Sequence, residues 1–206
     1  MSFTVIALLA GIVFGFVTGG RLRNVARRPL ELIWLLVISV GLQVAAETLD
    51  VADRAGLAMV LVSYVGLATF AIVNTRLVGM PVVLVGLVCN LAVIMLNGGM
   101  PVDEDALLAS HAATRAELAS LDLGAKRHLA TDDDVLRQLG DVIPVRPSRE
   151  VLSFGDLIMA FGIADVVFRL LKPVELRRRD EDEDDDVLVL DPPNEAIPVP
   201  RQLVDA

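Results

Sequence analysis

The side chains best suited to chemistry in this sequence are two histidines, His111 and His128, with the carboxylates Asp132, Asp133 and Asp141. Imidazole gains and loses a proton near neutral pH, and a neighbouring carboxylate can orient it. His128 with Asp132 or Asp141 is therefore the candidate acid–base set. The same residues invite a zinc test, since zinc takes three or four nitrogen, sulfur or oxygen ligands. Neither H-x-x-x-H nor C-x-x-C spacing occurs, so no metal site is assigned. His111 is expected to be packed rather than ligating. The G-x-S-x-G, P-loop and dinucleotide fingerprints are missing too, so no cofactor is implied.

Ionisable groups inside apolar runs are a second source of chemistry, because a charge in hydrocarbon is kept only for a reason. Asp165 is the best case, and Arg169 four residues on can pair with it on one helix face. Glu47 and Asp156 fall at run ends within reach of water. Gln43, Asn74, Asn90 and Asn97 can hydrogen-bond between helices.

These residues must be positioned by an apolar framework. Hydrophobic residues make up 54% of the chain and the mean hydropathy is +0.62, above the roughly 45–50% apolar content of a soluble domain. The excess sits in continuous runs: Ser2–Gly20, Leu30–Ala46, Leu57–Val73, Leu77–Leu96 and Val151–Leu171. A bilayer core selects about 20 apolar residues in helix, since lipid satisfies no free backbone group. The expected fold class is all-α, a polytopic membrane protein with five transmembrane helices. Residues 1–98 would hold helices one to four, 99–150 an extracytoplasmic and partly helical loop, and 151–171 the fifth helix. Residues 172–206 would form a disordered acidic cytoplasmic tail.

Charge gives an orientation. Arg21, Arg23, Arg27 and Arg28 follow the first run with no basic residue before it, the reverse of a signal peptide. Arg76 lies in the third connection, and Arg169, Lys172 and Arg177–Arg179 flank the end of the fifth run. The positive-inside rule then predicts the N-terminus outside and the C-terminus in the cytoplasm of a multi-pass cell (inner) membrane protein. The net charge of −9 comes from the solvated parts: the segment from Lys172 carries five basic and eleven acidic groups, and Gly99–Leu152 six and ten. That balance argues against nucleic-acid binding. The single Cys89 excludes an intrachain disulfide.

Local punctuation refines the spans. Pro29 and Pro81 suit the first turns of the second and fourth helices. Ser153-Phe154-Gly155-Asp156 has the spacing of a capping box. Gly11, Gly15 and Gly19 recur every four residues, a seam for close approach of another helix, in this chain or a second copy. In the loop, Leu107, His111, Thr114, Leu118 and Leu121 form a helical stripe across Asp103–Leu121. Thr131–Asp134 reads as the cap of a further helix containing Val135, Leu136 and Leu139.

The loop ends carry the most distinctive residues. Asn97-Gly98-Gly99-Met100-Pro101-Val102 leads in, and Leu139-Gly140-Asp141-Val142-Ile143-Pro144 and Ser153–Asp156 lead out. With Lys126-Arg127-His128 and Thr131-Asp132 between them, this succession resembles an uncharacterised family of bacterial integral membrane proteins, domain of unknown function 5317, over roughly Phe3 to Leu171. The resemblance implies a shared loop and no known activity. Asn97, Gly98, Gly99, Pro101, Asp141, Pro144, Ser153 and Asp156 are expected to anchor that loop on the bundle, bringing Asp132, Asp141 and Asp156 close. The leading functional expectation is a non-enzymatic scaffold or accessory subunit in contact with membrane lipids and with a protein partner or a second copy. The alternative is an enzyme or lipid-handling protein using His128, Asp132 and Asp141.

Overall fold

The computed structural model describes residues 2–49, 53–124 and 126–173. The acidic tail beyond Pro173, and the disorder expected of it, lie outside these residues. The described chain is mostly helical. Each apolar run becomes a helix: α1 (Ser2–Val17), α2 (Ile33–Thr48), α3 (Asp53–Val73), α4 (Met80–Asn97) and, after the loop, α6 (Phe154–Leu171). The loop holds a short α5 (Glu104–Ser110) and strands β1 (Met100–Val102), β2 (Arg127–Leu129), β3 (Ile143–Val145) and β4 (Glu150–Leu152). The loop is thus a mixed element, which corrects the all-α expectation there.

Two of these helices, Arg54–Val73 and Met80–Asn97, are long and apolar enough to cross a membrane. The expectation of five such helices is not met at this level. Phe3–Val17 and Ile33–Thr48 are apolar but shorter, and α6 carries Asp156, Asp165 and Arg169 along its 18 residues. Val151 and Leu152, expected to open the fifth helix, form β4 instead.

The helices pack as a curled row, α1 on α6, α6 on α4, α4 on α3 and α3 on α2. Glycine sets the two closest approaches. The α6–α4 contact is antiparallel: a Cβ added at Gly86 would lie 2.6 Å from the Gly155 carbonyl oxygen, and one at Gly79 2.7 Å from that of Gly162. Both pairs are seven residues apart, two helical turns, so the same face returns at each crossing. On α1, Gly11 lies against Ala164 and Val167, and Gly15 against Leu171. The glycine seam is therefore real at two of its three positions, and its partner is internal. Gly19 falls outside it, because α1 ends at Val17 and Gly19 turns the chain at φ +85° in open space.

The first connection locks onto the end of α6. Arg21 N and Asn24 Nδ2 both donate to the Leu171 carbonyl, each at 2.8 Å, and Arg28 Nη1 donates to that of Arg169 at 3.1 Å. Pro29 does not open α2, which starts at Ile33 after Leu32 in the left-handed region at φ +53°. The reason lies on α3–α4: buried Asn74 accepts from Glu31 N through Oδ1 and donates to Glu31 O through Nδ2, both at 2.9 Å. In a helix opened by Pro29 the Glu31 N–H would have no intrahelical partner, but its carbonyl would accept one of the first helical bonds. Asn74 holds that carbonyl instead, and Arg76 pairs with the Glu31 carboxylate. Asn74→Ala would orphan both Glu31 backbone groups, while the Phe70 carbonyl that Nδ2 also serves keeps the backbone N–H of residue 74. A loss of about 2–3 kcal/mol is expected, read as a lowered melting temperature in detergent; an unchanged melt would mean water replaces the amide.

Candidate functional site

Above the bundle the loop folds as a cap. β1 and β2 run parallel with Met100, Pro101 and Val102 opposite Arg127, His128 and Leu129, and Val102 bridges Asp141 on its other side. β3 and β4 form an antiparallel hairpin. Val102, Leu107, Leu118 and Val151 make its small core, with Leu121 and Leu129 against them. The amphipathic helix expected across Asp103–Leu121 is one short helix capped by Asp103, whose Oδ1 accepts from Ala106 N at 2.9 Å. It stops at Ser110 because His111 turns left-handed at φ +59° and Ala112 N returns to the Leu107 carbonyl, a Schellman-type closure. His111 is exposed rather than packed. The second expected helix is a turn: Asp134 Oδ2 accepts from Thr131 N and Oγ1, and only Arg137–Leu139 winds as a 3-10 turn.

The anchors work through specific bonds. Asn97 clamps Val135 with Nδ2 to its carbonyl at 2.9 Å and Oδ1 from its N–H at 2.8 Å. Gly98 ends α4 at φ +67°. Gly99 leaves room for His128, whose Nδ1 would be 3.0 Å from an added Cβ. Pro101 is fully buried, its carbonyl accepting from Asp141 N at 2.9 Å, while Asp103 N donates to the Asp141 carbonyl at 2.9 Å. Pro144 lies exposed in β3. At the start of α6, Ser153 and Asp156 form the capping box, and Asn90 of α4 joins it, donating to Asp156 Oδ1 at 2.7 Å and accepting from Ser153 Oγ at 2.9 Å.

The catalytic candidates do not form one contact set. His128 Nε2 meets Asp134 Oδ1 at 2.9 Å, and Asp132 is fully exposed beside Arg137. Burial would raise the Asp134 pKa, but hydrogen bonds from Thr131 and His128 outweigh it and hold the carboxyl below its usual range. Asp141 faces the other way, its Oδ2 2.8 Å from Arg127 Nε. Alternation along β2 explains the split, since adjacent side chains leave opposite faces of a strand. Asp141 and Asp156 do share one environment, where the charge of Asp156 acts on Asp141, and Asp132 does not join them. Among the described residues, no group of three or more His, Cys, Asp or Glu is placed to hold a metal ion.

What Asp141 and Asp156 share is a cavity of about 720 Å³ between the cap and the curled row. Its inner walls are apolar, with Leu67 and Phe70 of α3, Met80 and Leu87 of α4, and Met159 and Val166 of α6. Its capped end carries the charges. Glu47, Lys126, Arg127, Asp141, Arg149 and Glu150 line it, with Tyr64 and Gln43, among apolar cap side chains such as Leu107, Leu121 and Leu152. The ends of the row, α1 and α2, both contribute walls there, through Leu8 and Val40 among others. Lys126 pairs with Glu47 and ties cap to bundle. Burial is the main force on Asp141, pushing its pKa up to about 6 against the opposing charge of Arg127, with Asp156 adding to the rise.

Arg127, Lys126, Glu47, Tyr64 and Arg149 were not legible as site residues, because nothing local marks them. The heptad glycines Gly79/Gly86 and Gly155/Gly162 did carry a readable signal. The chain matches a family of unknown function (DUF5317) over residues 25–168 and belongs to that family. The match leaves out α1, so it is narrower at the N-terminus than the resemblance from Phe3. No curated protein and no solved structure matches the chain.

Proposed function

We propose that this chain is a multi-pass membrane protein that binds a single-chain amphiphile in the cavity between its bundle and its cap. The supporting observation is the cavity itself, apolar along the helices and charged under the cap. Its volume falls in the range of ligand pockets, roughly 300–1,000 Å³. A molecule with a hydrocarbon tail and a polar head matches that polarity gradient.

The membrane part of the reading draws on the outer surface. Large apolar side chains such as Val5, Leu9, Phe14, Trp34, Val37, Val62, Val88 and Phe161 stand exposed on all five long helices, far more than a soluble surface tolerates. Asp165 and Arg169 neutralise each other, with Nε 2.9 and 2.8 Å from the two carboxylate oxygens. The 16 residues of α1 and α2 give about 24 Å each, a mismatch that local thinning and tilt of neighbours accommodate. The contacts of Arg21, Asn24 and Arg28 with α6 gather the basic first connection at the end opposite the cap. Five spans, cap outside and the C-terminus in the cytoplasm follow from the positive-inside rule.

A scaffold docking a partner helix on Gly11 and Gly15 would find that face already covered by α6. Purification in a mild maltoside detergent, with mass spectrometry of retained lipids, tests the proposal. Wild type is expected to retain an amphiphile near one per chain, and Leu67→Trp, which fills the cavity, to retain much less. Equal retention, or none in the wild type, would overturn it. In a Cys89→Ser background, Ser148→Cys should react with an impermeant maleimide on intact cells while Arg23→Cys stays protected.

A further inference from the structure

We infer that the polar end of the cavity is an anionic headgroup site, in which Arg127 and Arg149 hold the head and Asp141 competes with it for Arg127. This rests on the amphiphile-binding reading and names the class of head.

Three cations line that end, Lys126, Arg127 and Arg149. Lys126 is engaged by Glu47. Arg149 is exposed and lines the cavity without an ion pair to any described residue. It sits at the turn of the β3–β4 hairpin in the left-handed region, φ +51°, a conformation that is strained for a non-glycine residue. Arg127 has a partner, but a poor one. Its Nε lies 2.8 Å from Asp141 Oδ2, yet out of line, so that buried oxygen receives no aligned hydrogen bond from the described residues. A phosphate or carboxylate would offer the guanidinium a fork it can meet squarely.

The carboxylates around it leave room for such a charge. Asp156 is spent on its capping box and on Asn90, Glu47 on Lys126, and Glu150, which also lines the cavity beside Arg149, is itself engaged. Asp141 is the remaining competitor. Its buried position already favours the neutral acid, so it can take a proton from solvent when an anion draws Arg127 away. The site thus exchanges an internal, badly aligned ion pair for one with the ligand.

Binding of dodecyl phosphate, dodecanoate, dodecanol and dodecyltrimethylammonium to the full chain in maltoside detergent reads this directly. Partition of each probe into micelles is common to wild type and variants, so their ratio reports the site. The wild type should bind the phosphate and carboxylate tighter than the alcohol, and the ammonium weakest. Arg149→Gln should weaken the two anions about three- to tenfold and leave dodecanol unchanged. Asp141→Asn, which removes the competitor, should tighten the anions. If that variant does not fold, the exposed Arg149→Gln keeps the test open. Dodecanol binding as tightly as the anions, or an Arg149→Gln effect equal on all four probes, would overturn the headgroup assignment while leaving the cavity reading intact. No probe binding at all would overturn both. A phosphate preference without a carboxylate preference would narrow the head to a phosphoryl group and still support the site.

Discussion

Gly155→Leu is expected to leave α4 and α6 unable to close on each other, and the protein to lose its folded population in detergent. A Cβ at Gly155 would sit 2.0 Å from Asn90 Oδ1 and 2.9 Å from the Gly86 carbonyl oxygen. Overpacking of flexible side chains costs about 1–3 kcal/mol; here the obstacle includes backbone, which has no rotamer to yield. The clash also strikes Asn90, the residue that receives Ser153 Oγ and donates to Asp156. Opening the helices would strand those buried polar groups, adding about 1–3 kcal/mol for each one left unsatisfied. A total above roughly 4 kcal/mol exhausts much of the 5–15 kcal/mol by which domains are stable. The readout is the monodisperse fraction on size exclusion together with the melting temperature. Gly41, where nothing lies within 4 Å of an added Cβ, supplies the control. Gly41→Leu should behave as wild type or slightly better, since glycine is a poor helix former. Gly155→Leu eluting and melting like wild type would refute the α4–α6 packing.

Arg127→Ala is expected to destabilise the cap strongly at neutral pH and far less in mild acid. Asp141 is buried with a side-chain exposure of 2%, and removing the partner of a buried charge costs about 3–5 kcal/mol. The pH dependence has a definite sign. The folded-state pKa of Asp141 is about 6, above the ordinary aspartate value of about 3.9, so the folded state binds this proton more tightly than the unfolded chain. Ionised Asp141 therefore costs stability above pH 6, by about 3 kcal/mol. That cost fades as pH falls from about 6 toward 4. Without Arg127 the pKa rises further, so the penalty is larger and sets in at higher pH. Melting temperatures of wild type and Arg127→Ala should thus diverge at pH 7.5 and approach one another at pH 5. The double variant Arg127→Ala/Asp141→Asn should recover most of the loss at pH 7.5, and that recovery measures the coupling. A gap between wild type and Arg127→Ala that is constant with pH would show that the loss is packing rather than charge. The other carboxylates held off their usual values in the cap, Glu117 and Asp134, are lowered and act in the opposite direction. Both proteins contain them, so they cancel in the comparison.

The amino-acid sequence by itself determined what depends on near neighbours. Each apolar run became a helix, because continuous hydrophobicity and the lack of internal breakers are local properties. The Ser153–Asp156 capping box formed as its spacing demanded, and Asp165 met Arg169 one turn on. The turn at Gly98 followed from glycine's access to the left-handed region. Where a local pattern failed, a distant group had intervened. Pro29 lost the start of α2 to the hold of Asn74 on Glu31, forty-three residues apart along the chain. The His111 stripe broke when Leu107 and Leu118 turned separately into the cap core.

Only the tertiary structure decided which faces met. Periodicity put Gly11 and Gly15 on one side of a helix, but it could not say that α6 was their partner, since every apolar helix offers a similar surface. Adjacent in sequence, Arg127 and His128 were sent to different carboxylates by strand alternation, and Asp141 rather than Asp132 became the buried one. The cavity is the extreme case. Its lining runs from Phe3 to Leu170, and a void between elements has no sequence signature of its own. It lies among helices that glycine draws close, α4 on α6 and α1 on α6, and the two end helices of the row, α1 and α2, both contribute to its lining.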